Sequence, residues 1–167
     1  MHEEDRQNHR DHTGLIRRAT ADDAAAIAEV VNRAYQVEEF FATQKRTNAE
    51  EISRLLQTGS FLVLDGGEDW LAGSVYLRIE GDRGYFGLLA VDPDLQQQGL
   101  GNRLVAVAEA LCAAESCTSM ELQVVNLRAE LAPWYRSLGY AQYGTAPFSL
   151  NEPTKLPCHF IQMSKTL

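Results

Sequence analysis

The chain has 167 residues, 15 of them basic and 23 acidic, which gives a net charge of −8 with hydrophobic residues at 45%. Those proportions suit one globular domain and exclude a disordered or membrane-embedded chain. So acidic a chain is poorly matched to nucleic-acid phosphates or to an anionic membrane surface, and neither is expected as a partner.

The charge is unevenly spread. Residues 1–20 carry four acids and four bases, and residues 95–167 carry five of each. Residues 21–94 carry fourteen acids and six bases, so the whole excess sits in the middle of the chain. The opening MHEEDRQNHRDHT has no apolar stretch of the kind a signal peptide needs, and no later run approaches a membrane span of roughly 18 residues. Residues 1–13, with His2, His9 and His12, read as a flexible polar tail ahead of a single domain over 14–167. Cys112, Cys117 and Cys158 are odd in number and form no C-x-x-C pair. The expectation is reduced thiols in a cytoplasmic protein, with no disulfide framework and no metal site.

In chain order, Leu15 to Arg18 reads as a short strand, and Thr20 opens a helix. Thr20 with Asp23 three residues on resembles a capping box, and Ile27, Val30, Val31 and Ala34 follow at helical spacing. The pattern fails between Tyr35 and Thr47, which predicts a loop or broken helix. Asn48 then caps a second helix with Ile52, Leu55 and Leu56 inward and Gly59 at its end. Phe61 to Leu64 predicts a strand stopping at an Asp65-Gly66-Gly67 turn. Trp70 to Ile79 is a second, and a hairpin turn over Gly81 to Gly84 leads into a third from Tyr85 to Val91. Antiparallel order follows for these three.

After Asp92-Pro93 the chain enters a long helix through Gly99-Leu100-Gly101, with Leu100, Leu104, Val107, Ala108 and Leu111 as its apolar face. Glu121 to Val125 is another strand. Pro133, tolerated only in a first turn, places the next helix near Ala132, with Leu127 to Leu131 as a separate turn before it. Tyr140 to Tyr143 and His159 to Met163 complete the strands.

The segment Leu88 to Leu104, LLAVDPDLQQQGLGNRL, carries chemistry. Glycines at a helix mouth let backbone N–H groups approach an anion, and the free amides of the first turn hold a phosphate or pyrophosphate. The dinucleotide fingerprint is excluded because Leu104 stands where its third glycine belongs, and no Gly-Lys-Ser/Thr follows to make a P-loop.

Gln96, Gly99 and Gly101, after the strand end Leu89-Ala90-Val91-Asp92-Pro93, resemble the acyl-CoA signature of the GNAT acetyltransferase superfamily. Trp134-Tyr135-Arg136-Ser137-Leu138-Gly139-Tyr140 resembles its second block. The resemblance implies a GNAT fold: an α/β architecture with a central mixed, mostly antiparallel splayed sheet of six to seven strands and about four helices on both faces. It implies acetyl-CoA as co-substrate, no metal, and transfer of the acetyl group to an amine by direct attack.

By that resemblance Leu89, Ala90 and Val91 pair with the pantetheine arm. Gln96, Gln97, Gln98, Gly99, Gly101 and Asn102 hold the pyrophosphate, and Asn126 touches the cofactor. Tyr135 is the general acid that protonates the leaving sulfur. Arg103 faces either solvent or phosphate. Asn126 precedes Tyr135 by nine residues where seven is common in the family, a departure from the pattern.

Many relatives carry a carboxylate on the strand before Leu89, but Tyr85-Phe86-Gly87-Leu88 has none. The base is left among an ordered water, Glu121 and His159, with Glu80 and Asp82 nearer the hairpin. A CoA-binding module without transfer activity is the alternative that this gap motivates. Acceptor choice in such folds comes from the segment between the first two helices and from the last hairpin; the former here includes Tyr35, Glu38, Glu39, Phe40 and Phe41. Acids beside aromatics fit a cationic amine on a small molecule or an exposed protein amine. A longer acyl group and a homodimer both remain open.

Overall fold

A computed structural model describes residues 14–148 and 153–167, so the polar tail expected over residues 1–13, with His2, His9 and His12, lies outside the described residues. β1 (Ile16–Arg18) leads through a 3-10 turn (Ala21–Asp23) to α1 (Ala24–Ala34), then a second 3-10 turn (Tyr35–Glu38) and α2 (Ala49–Thr58). β2 (Ser60–Gly67), β3 (Trp70–Glu80) and β4 (Arg83–Val91) precede α3 (Leu100–Ala114), β5 (Ser119–Val125), α4 (Leu131–Ser137), β6 (Ala141–Pro147) and β7 (His159–Thr166). The described strands form one seven-stranded sheet in the order β1-β2-β3-β4-β5-β7-β6. Every neighbouring pair is antiparallel except β4 with β5, which run parallel. The expected mixed sheet and four helices are therefore present.

Both faces of the sheet are covered. Phe61 and Val63 of β2 pack with Ile27, Val31 and Ile52 under α1 and α2, while Leu62 and Leu64 pack with Leu104, Ala108 and Met120 under α3. A strand buried on both faces reads as an unbroken apolar run, which is why residues 61–64 show no alternation. Each such side chain, fully buried, is worth about 1.5–3 kcal/mol.

Local signals set the helix ends. The Asp23 carboxylate accepts from Thr20 N–H at 2.7 Å, and the helix opens as a 3-10 turn before α1 proper. Asn48 Oδ1 accepts from Glu51 N–H at 2.9 Å and caps α2. Pro133 lies in the first turn of α4, which begins at Leu131, one residue before the expected start.

Three expectations shift. β2 does not turn at Asp65 but continues to Gly67, and the turn is Glu68-Asp69, with Asp69 at φ 62. The two glycines serve the Trp70 ring instead, since a Cβ on Gly66 would meet it at 2.6 Å. The next hairpin turns on Gly81 and Asp82 alone, so β4 starts at Arg83. Tyr140 is buried core rather than strand, and β6 runs on to Pro147.

Candidate active site

The cleft exists because β4 and β5 part company. Their parallel pairing covers only Arg83–Tyr85 against Ser119–Glu121. Beyond that, β4 stays with β3 as far as Val91, and β5 stays with β7 as far as Val125. Between Tyr76↔Gly87 and Ser74↔Ala90, β3 advances two residues and β4 three, so β4 carries a bulge, with Leu88 at φ 50. A bulge adds local bend and twist to its strand, and a left-handed leucine there costs on the order of 1–2 kcal/mol. The result is a strand edge from Phe86 to Val91 that, on the side away from β3, has no neighbouring strand among the described residues and faces a cleft of about 1100 Å³. Leu89 and Val91 line it, whereas Ala90, 2% exposed, packs on the opposite face.

One end of the cleft is the loop into α3. Asp92 is buried, ion-paired to Arg33 at 2.6 Å, and accepts from Asp94 N–H at 2.9 Å, which ties the loop to α1. Gln97 (φ 66) and Gly99 (φ 77) are both left-handed, and alternation of this kind gathers successive backbone N–H groups into an anion-binding concavity. The amides of Leu100, Gly101 and Asn102 open the first turn of a fifteen-residue helix, whose dipole adds to them. Gln96, Gln97, Gly99, Gly101 and Asn102 line the cleft, but Gln98 faces outward. Gln96 Nε2 donates to the Val91 carbonyl at 3.2 Å, so its amide secures the loop to the strand end. Arg103, left open between solvent and phosphate, instead donates from Nη2 to the Gly14 carbonyl at 2.7 Å.

Asn126 sits at the end of β5 but does not line the cleft. Its Oδ1 accepts from His159 N–H at 2.8 Å and its own N–H donates to the His159 carbonyl at 2.9 Å, so it closes the β5–β7 ladder. Tyr135 does reach the cleft. Only 5% exposed, it packs among Phe86, Trp134 and Tyr140, and burial pushes its phenol well above the ordinary value near 10. Trp134 in turn backs Gly101, tying α4 to the mouth of α3.

The opposite wall comes from the segment between α1 and α2. Tyr35, Glu38 and Phe41 line the cleft; Glu39 and Phe40 do not. Glu38 is buried, and loss of solvent raises its carboxyl above the ordinary range, an effect offset in part by Arg128 at 3.9 Å and by Arg46. The Glu39 carbonyl, outside the cleft, accepts from Lys155 Nζ at 2.8 Å. The expected pair of acids is thus split, with one carboxylate inside and one out. Sequence reasoning passed over the cations here: Lys45, Arg46, Arg54 and Arg128 all line the cleft. None of the acids or the histidine weighed as a base lines it. Glu121 pairs with Arg83 at 3.6 Å, Glu80 with Arg78 at 3.0 Å, Asp82 accepts from Thr118, and His159 is exposed. Among the described residues no cluster of His, Cys, Asp or Glu is placed to hold a metal, and no helix is long and apolar enough to cross a membrane.

The family model described as Acetyltransferase (GNAT) family matches residues 24–140, which takes in α1, the open edge of β4, the glycine loop and Tyr135. The chain belongs to the GNAT acetyltransferase family. Solved GNAT-fold structures agree in architecture. The ribosomal-protein-alanine N-acetyltransferase from Brucella melitensis is 19% identical with a TM-score of 0.73, over 92% of this chain and 99% of that one. The ribosomal-protein-S18-alanine N-acetyltransferase from Escherichia coli is 17% identical with a TM-score of 0.71, over 91% and 92% of the two chains. A GNAT acetyltransferase from Streptococcus pneumoniae is 19% identical with a TM-score of 0.71, over 92% and 99%. At these identities the likeness speaks for the fold alone. No curated protein matches the sequence.

Proposed function

We propose that this GNAT chain is an N-acetyltransferase that moves the acetyl group of acetyl-CoA to an amine by direct attack while both substrates are bound. The observation that carries the proposal is the unpaired edge of β4 running from the closed end of the splay to the glycine loop. An extended arm bearing amides can pair with that edge as an added strand does, with its pyrophosphate on the amides of Gly99 to Asn102. The thioester then lies toward Tyr135 and the wall formed by Tyr35 and Glu38.

Tyr135 faces the leaving sulfur. Its phenol, raised by burial, stays protonated at working pH. Full proton transfer from a phenol at or above 10 to a thiolate near 8.5 is uphill by at least about 2 kcal/mol. Tyr135 therefore acts chiefly by donating a hydrogen bond to the charge developing on sulfur, and the proton lost by the attacking amine ends on the thiol. Glu38 is the acid buried in the acceptor wall, and its carboxylate draws in the cationic end of the acceptor. Its raised pKa also makes it the better proton acceptor through an intervening water.

The test is thiol release from acetyl-CoA across a panel of amines, alongside calorimetric binding of coenzyme A. Amine-dependent release supports the transferase. Binding without release above hydrolysis for every amine favours the CoA-binding module instead, and no binding at all overturns both.

A further inference from the structure

The acceptor wall holds more positive charge than an amine alone explains. Arg46 is half-buried, lines the cleft, and lies over the Tyr35 ring at 5.6 Å. Among the described residues its guanidinium has no hydrogen bond and no carboxylate within 4.0 Å, in contrast to Arg128, which meets Glu38 at 3.9 Å and Glu130 at 2.6 Å. The backbone beside Arg46 is fixed. Thr47 is buried, its N–H donates to Asn32 Oδ1 at 3.0 Å, and its carbonyl accepts from Asn32 Nδ2 at 2.9 Å. Asn48 follows as the cap of α2. An aromatic platform and a pinned neighbour thus present five guanidinium donors to the cleft without a protein acceptor, the arrangement that suits bidentate recognition of a planar anion. Lys45 and Arg54 add charge at the rim.

Position separates this site from the cofactor phosphates. Arg46 belongs to the segment between α1 and α2 and lies over the Tyr35 ring, not on the loop into α3 that carries the glycines.

We infer that the acceptor is zwitterionic: an amine held at Glu38 and a carboxylate held by Arg46, as in an amino acid. This deepens the proposed acetyl transfer and rests on it for the role of the amine. The test compares the protein amino acids as free acids with the same compounds as carboxamides, in two measurements. The first is calorimetric titration into protein loaded with coenzyme A, which needs no turnover. The second is kcat/KM for thiol release from acetyl-CoA.

The expected result is at least a tenfold preference for the free acid in both. In Arg46→Gln it collapses to within twofold, and in Arg46→Glu it inverts. Arg54→Gln, at an exposed position, lowers it less and guards against misfolding of the Arg46 variants. Equal or better use of carboxamides, or no binding of any free acid, overturns the inference and leaves the transferase standing if transfer is seen. A tenfold rise of the acetyl-CoA KM in Arg46→Gln, with the acid preference unchanged, also overturns it. Preference in the titration without any transfer upholds the anion site and sinks the transferase.

Discussion

Gly101→Ala separates what the protein needs in order to fold from what it needs in order to bind. Gly101 is the second residue of α3 and is not in the left-handed region. A Cβ there would meet Trp134 ring atoms at 3.5 and 3.6 Å and a Val91 methyl at 3.9 Å, all ordinary contact. Alanine in place of a helical glycine gains about 0.5–1 kcal/mol. For a chain of this length that is about 1–4 °C in Tm. The ligand-free variant is therefore expected to melt higher than wild type in a scanning-fluorimetry comparison. Binding is expected to stay put. That methyl group lies against Trp134 and Val91 and leaves the amides of Leu100 to Asn102 free to meet a pyrophosphate. The calorimetric Kd for coenzyme A is expected within about threefold of wild type. A Kd weakened by about tenfold or more, with the stability gain present, would refute this placement of the pyrophosphate.

Tyr135→Phe keeps the aromatic packing against Phe86 and Tyr140 and removes only the hydroxyl. It should lower kcat by about 10²-fold or more with little change in coenzyme A Kd, and the alkaline limb of the wild-type kcat profile should not report Tyr135, whose pKa is raised. For Glu38→Gln the sign is opposite in stability and function. A buried acid with a raised pKa is a cost that is absent below the ordinary value of 4.5 and grows as pH rises through its folded-state value. The variant should gain stability relative to wild type at pH 7 but not at pH 4, while its acceptor KM rises; equal differences in Tm at both pH values would contradict the burial argument. Asp92→Ala strips Arg33 and the Asp94 amide of their acceptor. It should cost about 2–3 kcal/mol in denaturant unfolding and also weaken coenzyme A binding.

Much of the frame was legible because it rests on local chemistry. The capping residues Thr20, Asp23 and Asn48, the apolar run 61–64 and Pro133 each act within a few residues, and the glycine loop announces its own backbone geometry. What was not legible depends on distant partners. Leucine is no turn residue, so nothing at Leu88 signals the bulge that parts β4 from β5. Glu38 and Glu39 are adjacent in sequence, yet only packing of the 3-10 turn decides which enters the cleft. Arg46 and Arg128 are 82 positions apart and converge on the same wall through the tertiary fold. The Lys45-Arg46 pair, separated from Phe40-Phe41 by Ala42, Thr43 and Gln44, was the signal available.

The measurement closest to the central claim is mass spectrometry of both protein and acceptor after incubation with acetyl-CoA. Direct attack in the cleft between β4 and β5 predicts one acetyl group on the acceptor amine, formed only when both substrates are present, and an unmodified protein when the acceptor is left out. An acetylated protein that forms without acceptor and then passes its acetyl group on would contradict the account.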